Sequence, residues 1–282
     1  MNEVPLLPGL YVVATPIGNL GDITLRALEV LKAAACVAAE DTRVTGQLLA
    51  ALGISKPLLS VREHNERQGA EKIIGKIAAG EAVAYVTDAG TPAISDPGSL
   101  LVRAVHEAGF AVRPVPGASA AVAALSVAGF PPGPWFFSGF LPPRSKARQD
   151  AIRGLRHMPC VLVFYEAPHR IRETLADLAG VLGGERRICI GRELTKQFEE
   201  VACMLLGETA AWLDASVYRE KGEFVLIVSG ATEAAGDIAE SEHVLEVLLK
   251  ELPVNQAAKL AAQITGEKKN LLYEMALKLK NN

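Results

Sequence analysis

Three features of the chain predict an α/β fold of two domains with a small helical module at the C-terminus. Short apolar runs alternate with amphipathic helical stretches over residues 1–118, the pattern of a parallel sheet covered by helices. Four of those runs empty into polar or Gly/Pro-rich segments at their carboxyl ends, where open α/β sheets bind ligands. Beyond Glu233 only helical periodicity remains. The predicted boundaries are 1–118 for the first α/β domain, 119–232 for the second and 233–282 for the helical module.

Leu10–Ala14 reads as a buried strand, and Thr24 caps a helix reaching about Ala34, with Leu25, Leu28 and Leu31 on its apolar stripe. Cys36–Ala39 is a second strand, followed by a helix over Val44–Leu52 that stops at Gly53. Leu58–Val61 is the third, with a helix over Gln68–Ala79. Ala82–Val86 feeds a long loop before the helix Ser99–Ala108, and Ala111–Val115 leads into Pro116-Gly-Ala-Ser119. The uncharged stretch from Pro114 to Pro143 has an apolar core, Ala118–Phe130, too short to span a membrane, and it reads as a buried helix. In the second domain Phe136–Leu141, Val161–Tyr165, Arg187–Gly191, Val201–Leu206 and Phe224–Ser229 read as strands of a mixed sheet. Helices at Ala147–Leu155 and Ile171–Leu182 lie between some of them. The tail divides into Ser241–Glu251, Pro253–Thr265 and Lys268–Lys280, a module that either reads RNA or braces a dimer.

Half the residues are hydrophobic and 22% are charged, the composition of a globular protein. The formal charge of −3 does not announce a nucleic-acid binder, but charge is uneven. Residues 144–196 hold eleven Lys or Arg against six Asp or Glu, net +5, leaving −8 elsewhere. That basic stretch is compatible with a polyanionic partner. The four scattered cysteines show no metal-like spacing, which predicts reduced thiols, no structural zinc and a cytoplasmic setting.

The segment Thr87-Asp-Ala-Gly-Thr-Pro-Ala-Ile-Ser-Asp-Pro-Gly98 is the most informative. Twelve turn-forming residues at the end of a buried strand make a ligand loop. Pro92 and Pro97 stiffen it, while Gly90 and Gly98 allow close approach to the main chain. Thr15–Asp22 is not G-x-G-x-x-G, and no G-x-x-x-x-G-K-[ST] occurs, which disfavours dinucleotide and P-loop chemistry. Glu40-Asp41-Thr42-Arg43 sets two carboxylates and a guanidinium at a strand end: Arg43 is a candidate phosphate clamp and Asp41 a candidate base. The same residues also suit a plain helix N-terminus. His64, between Glu63 and Glu66, is a candidate proton acceptor or a solvated loop histidine. Tyr165–Arg170 and Gly191–Lys196 end strands of the second domain with charge of both signs.

Taken as a set, V-A-T-P-I-G-N-L-G-D-I-T (13–24), A-E-D-T-R (39–43), E-H-N-E (63–66), D-A-G-T-P-A-I-S-D-P-G (88–98), P-G-A-S-A (116–120), Y-E-A-P-H-R (165–170), G-R-E-L-T-K (191–196) and G-E-F-V-L-I-V (222–228) make the chain specific. It closely resembles the small-subunit ribosomal RNA methyltransferase I family of class III, tetrapyrrole-methylase-like, enzymes. The resemblance runs from about Gly9 to the end. It implies S-adenosylmethionine-dependent methylation of a ribose 2′-hydroxyl on a decoding-centre cytidine (cytidine 1402) of 16S rRNA, within the small ribosomal subunit. It also implies a homodimer, a cofactor folded between two α/β domains, and no metal or membrane. By position, the cofactor contacts would be Pro16, Asp88, Gly90, Thr91, Pro92, Ser95, Ser119 and Ala120, with Tyr165, Glu166 and Leu194 from the second domain.

Methyl transfer needs the attacking oxygen, the methyl carbon and the departing sulfur in line, so positioning carries much of the catalysis. A ribose hydroxyl is a weak nucleophile, and Asp41, His64, Glu166 and Glu193 are the candidate proton acceptors. Arg43, Arg170, Arg192 and Lys196 are candidates to hold phosphates or developing alkoxide charge. The basic stretch would face RNA. Two rival readings are a small-molecule tetrapyrrole methylase and a non-catalytic ribosome-assembly factor that keeps the cofactor pocket. Tetrapyrrole relatives typically lack A-E-D-T-R and E-H-N-E, which weakens the first.

Overall fold

The computed structural model describes residues 6–62, 65–231 and 233–280, with backbone alone over 233–240. The chain forms two compact units. The first holds the described residues up to Val127 together with Gly191–Val201, and the second holds the rest.

In the first unit, strands β1 (Gly9–Val13), β2 (Cys36–Ala39), β3 (Leu58–Ser60), β4 (Ala82–Val86) and β5 (Val112–Val115) build one sheet in the order β3-β2-β4-β1-β5. The pairs β1–β4, β1–β5, β2–β3 and β2–β4 are all parallel, with Leu10 opposite both Val83 and Val112. β2 and β4 read as continuous apolar runs because both their faces are buried. Helices α1 (Leu25–Ala33) and α2 (Thr42–Ala51) cover one face through Ala27, Val30, Leu31 and Leu49. Helices α3 (Glu66–Ala78) and α4 (Ser99–Glu107) cover the other through Ala70, Ile73, Ile77, Leu101 and Val105. Thr24 caps α1 as predicted, its hydroxyl accepting the Ala27 N–H at 3.1 Å.

The chain leaves β2 toward one edge of this sheet and leaves the neighbouring β4 toward the other. Their following helices therefore depart onto opposite faces and open a crevice at the strand ends, the topological switch point of an α/β sheet.

Helix α5 (Ala120–Val127) corrects one expectation. It buries Ala121 and Ala124 but leaves Val122 and Val127 exposed, because eight residues with alternating small side chains offer only one packing stripe. Among the described residues no helix is long and apolar enough to cross a membrane.

In the second unit, β6 (Trp135–Phe140), β7 (Val161–Glu166), β8 (Arg187–Arg192), β9 (Glu200–Leu205) and β10 (Phe224–Val228) are ordered β6-β7-β10-β8-β9. The sheet is mixed, as predicted: β6–β7 is parallel and β7–β10 antiparallel. Ile152 from α6 (Ser145–Gly154) and Ile171, Leu175 and Leu178 from α7 (Ile171–Leu182) pack on Phe164, Ile188 and Leu226. The short α8 (Thr209–Asp214) escapes sequence reading because six residues are too few to show a period. Helices α9 (Glu233–Leu248), α10 (Val254–Thr265) and α11 (Lys269–Lys280) form the tail module around Leu245, Ala258, Ala261, Leu272 and Ala276. α9 begins before the predicted Ser241.

The thiols also differ from expectation. Cys189 on β8 and Cys203 on the adjacent β9 form a disulfide, with Cα atoms 4.0 Å apart, while Cys36 and Cys160 remain free. Spacing alone hides this pair: a separation of 14 residues becomes a contact only once the two strands lie side by side.

Candidate functional site

The crevice between β2 and β4 is a cleft of about 430 Å³ lined by Glu40, Asp41, Arg62, Asp88, Ser95, Asp96 and Pro97. Each comes from the carboxyl end of a parallel strand: Glu40 and Asp41 follow β2, Arg62 follows β3, and the rest follow β4. The Asp88 carboxylate accepts the Asp41 backbone N–H at 3.2 Å, and the Arg62 Nε donates to the Glu40 carbonyl at 3.2 Å, which ties the three strand ends together.

The ligand loop is stitched to its neighbours by main chain. Thr15 and Gly90 exchange backbone hydrogen bonds of 2.9 and 3.1 Å, an isolated antiparallel bridge that joins the β1 and β4 loops. Thr91 Oγ1 donates to the Ala118 carbonyl at 3.0 Å, adding the β5 loop. Gly90 sits at φ 75°, and a Cβ there would meet Ile17 Cγ2 at 3.3 Å. Ala93 takes φ 64°, uncommon for a residue with a side chain and found where surrounding structure holds it. Pro16, Asp88, Gly90, Thr91, Pro92 and Ser95 therefore belong to one loop cluster, with Ser119 and Ala120 following the β5 loop at the start of α5.

The loop's far arm is anchored from below. The buried Glu66 accepts the N–H groups of Gly98 at 3.1 Å and Leu101 at 2.9 Å, and Tyr85 donates its hydroxyl to the Pro97 carbonyl at 2.8 Å. Gly98 stands at φ 131° with Tyr85 so close that a Cβ would lie 2.6 Å from its ring.

Charge in the cleft is predominantly negative. Burial, together with the charges of Asp88 and Asp96, raises the Glu40 carboxyl above its ordinary range. Burial raises Asp96 likewise, opposed by a hydrogen bond from Thr87 and reinforced by Asp88. Asp41 is the opposite case. Arg43 grips it through Nε at 3.1 Å and a terminal nitrogen at 2.6 Å, and also donates its backbone N–H at 2.8 Å. Those bonds hold Asp41 far below the usual carboxylate range. The Arg43 side chain itself is 82% exposed.

The segment Gly191–Val201 lies with the first unit. Glu193 and Thr195 both adopt left-handed backbone, at φ 49° and 67°, an outlier for β-branched Thr195. Lys196 pairs with Glu193 at 2.9 Å, and a Cβ on Gly18 would lie 2.4 Å from Lys196 Cγ, so Gly18 is the space this lysine needs. Leu194 packs on Gly191 and is buried. Arg192 is buried and donates to the Phe198 carbonyl at 3.0 Å.

Within the second unit, Tyr165 at the end of β7 packs edge-on against Phe137 and Phe140. Glu166 is buried beside it with both oxygens engaged: one accepts the Ala167 N–H at 2.8 Å, the other the Thr174 hydroxyl at 2.6 Å, and Arg170 pairs with the carboxylate at 3.0 Å. His64 lies outside the described residues. The basic stretch is partly internal. Arg148 is buried and paired with Asp177 and Glu173, Arg172 pairs with Asp214 and Glu220, and Arg186 donates to the Ser229 carbonyl. Arg144, Lys146, Arg156 and Arg187 are exposed.

Sequence reading passed over Glu40, Arg62 and Asp96 as individual site residues, and over Glu66 and Tyr85 as supports. The signal for Glu40 and Asp96 was their place after strands inside quoted motifs, and for Arg62 its place at a strand end directly before E-H-N-E. Glu66 and Tyr85 act through backbone partners more than ten residues away, which no spacing reveals.

Residues 9–210 match the family model of Tetrapyrrole (Corrin/Porphyrin) Methylases, and residues 235–280 match that of the RsmI C-terminal HTH domain. Ribosomal RNA small subunit methyltransferase I of Neisseria meningitidis serogroup B is 52% identical over 274 residues, covering 96% of this chain and 94% of that protein. The protein of the same name from Pseudomonas aeruginosa is 49% identical, covering 95% and 96%. A crystal structure of uroporphyrin-III C-methyl transferase from Thermus thermophilus, complexed with S-adenosylhomocysteine, superposes with a TM-score of 0.55 at 18% identity. It covers 78% of this chain and 97% of that one, a likeness of fold.

Proposed function

The chain belongs to the ribosomal RNA small subunit methyltransferase I family, and we propose that it methylates the ribose 2′-oxygen of cytidine 1402 in 16S rRNA, using S-adenosylmethionine. The observation that carries the reading is near-half identity over almost the whole chain, joined to an acidic cleft at the sheet's switch point.

The residues present fit the cofactor. S-Adenosylmethionine supplies an electrophilic methyl group on a positively charged sulfonium, and becomes a thioether when that methyl leaves. Glu40, Asp88 and Asp96 bring negative charge to the cleft wall, which favours such a cation. The Thr15–Gly90 bridge and the Thr91–Ala118 bond hold the surrounding main chain rigid, so the groups that bind it are preorganised. Pro16, Asp88, Gly90, Thr91, Pro92, Ser95, Ser119 and Ala120 are the contacts we assign within the first unit, with Leu194 from its inserted segment.

The ribose hydroxyl loses its proton as its oxygen takes the methyl group. Among the carboxylates, Asp41 is held ionised by Arg43 and is a weak acceptor, and Glu166 is committed to Arg170 and Thr174. Glu40 lies in the cleft with a raised affinity for protons, and we assign it the acceptor's role. Asp41 then acts as the positioning residue that aims Arg43 at a phosphate, while Glu193 steers Lys196 in the same way.

The enzyme works as a cytoplasmic homodimer on the small subunit. The exposed Trp135, Phe136 and Phe140 on edge strand β6 supply an apolar surface of the kind a second copy covers. The test is incubation with isotopically labelled S-adenosylmethionine and small subunits lacking the ribose methyl group, with the label mapped by mass spectrometry. Label on cytidine 1402 is the expected result. Absence of transfer by protein that still binds the donor would overturn the reading.

A further inference from the structure

The tail module carries a surface that the methyl-transfer cleft does not use. Residues 253–280 hold five lysines (259, 268, 269, 278 and 280) against two glutamates (267 and 274), a basic region on a chain of formal charge −3. All five lysines are exposed. On α11, Leu272 and Ala276 are fully buried, and Met275 and Leu279 pack beside them against α9 and α10. Next to that seam, Lys269, Tyr273, Leu277 and Lys280 recur at i, i+4, i+8 and i+11, steps that return each residue to nearly the same side of a helix. Tyr273 is 39% exposed and Leu277 41%, so the stripe shows solvent an aromatic ring and an aliphatic side chain between two ammonium groups.

Helix propensity does not call for an exposed tyrosine, and the module's core is complete without it. A flat ring flanked by lysines fits a nucleic-acid strand: unpaired bases stack on aromatic rings while ammonium groups meet the adjoining phosphates. The excess of lysine over glutamate is the complementary charge for that backbone.

Building on the rRNA methyltransferase reading, we propose that the α11 stripe Lys269–Tyr273–Leu277–Lys280 is a second RNA-binding surface, with Tyr273 stacking on an unpaired base and the two lysines contacting phosphates. It contributes affinity and register for the RNA and touches no reacting atom.

The experiment uses the full chain and a transcript of the 16S decoding-centre segment, with the dissociation constant measured across a salt series. For Lys269→Gln/Lys280→Gln the slope of log affinity against log salt falls in magnitude by about 0.7 for each lysine lost. Tyr273→Ala weakens binding about 5-fold or more at fixed salt, whereas Tyr273→Phe retains it. Donor affinity, measured by calorimetry on the same samples, stays at the wild-type value in all three variants. An unchanged slope together with unchanged affinity would overturn the proposal. So would sedimentation showing that Tyr273→Ala dissociates a dimer, since the stripe would then belong to a second copy of the chain. Failure of the methyltransferase reading is seen separately, as wild-type protein that transfers no label.

Discussion

Glu66 and Gly98 are joined by a buried hydrogen bond of 3.1 Å from the glycine N–H to the carboxylate, across 32 residues of sequence. The same oxygen accepts Leu101 N–H at 2.9 Å, so one side chain at the start of α3 caps the start of α4 and holds the end of the ligand loop. Replacing Glu66 by Ala leaves two buried N–H groups without an acceptor. Expected is a loss of about 1–3 kcal/mol in unfolding free energy and a weaker donor affinity. Glu66→Gln keeps an acceptor oxygen and should recover most of both. Denaturant melts with calorimetric titration of S-adenosylmethionine check this, and equal behaviour of the two variants would contradict it.

Asp41→Asn keeps an oxygen for the Arg43 N–H but removes the charge that orients the guanidinium. Methyl transfer is expected to fall by about 10-fold or more, with donor affinity nearly unchanged. Lys196→Ala should divide the two readouts the same way. Loss of donor affinity in both variants would show that these residues serve the cofactor instead.

Acid should silence the cleft earlier than ordinary carboxylates would. Burial and neighbouring acids raise Glu40 and Asp96, so both take up protons while exposed carboxylates remain charged. A raised acid opposes folding at neutral pH, and that cost disappears as pH falls through its folded pKa; Asp41, which is lowered, adds stability above its unfolded pKa and loses it only at strong acid. Transfer efficiency should therefore decline on the acid side while the protein is still folded. Glu40→Gln should abolish that limb along with most of the activity, as pH–rate profiles with parallel circular dichroism would reveal.

Arg148 tests how much of the basic stretch faces RNA. Its side chain is 1% exposed and engages Asp177 at 2.6 Å and Glu173 at 3.0 Å. Arg148→Ala strands a mostly buried Asp177 and should cost about 3–5 kcal/mol in stability, read by thermal or urea unfolding. RNA affinity of the folded fraction should not change. Reversal of exposed Arg144 and Lys146 to Glu provides the contrast, expected to weaken RNA binding with little effect on stability.

Much of this architecture was legible because its signals are local. Continuous apolar runs such as Ala82–Val86 announce strands buried on both faces, and the turn residues after Val86 announce a ligand loop. The site residues were legible as motifs but not as roles. Asp41 looks like a base until its bidentate bond to Arg43 is seen, and Glu166 looks like one until Thr174 and Arg170 are found on its oxygens. Burial of Arg148 and Arg192 and half-burial of Arg170 were invisible for the same reason: net charge counts them, and only the tertiary structure shows Arg148 and Arg170 paired with carboxylates and Arg192 turned to a backbone carbonyl. The Cys189–Cys203 bond depends on strand adjacency, a long-range property that residue spacing does not encode.

The return of Gly191–Val201 to the first unit has a consequence for synthesis. A chain emerging from the ribosome presents β1 to β5 in full long before Glu193, Leu194 and Lys196 exist. At about 5–20 residues per second the missing strip follows several seconds later. The N-terminal half must therefore wait, with the face that receives Lys196 beside Gly18 still bare, until the whole of Ala128–Ile190 in the other unit has been made. A nascent chain halted before residue 191 would be folded in outline and chemically unfinished, and no single cut in the gene could release either half as a working piece.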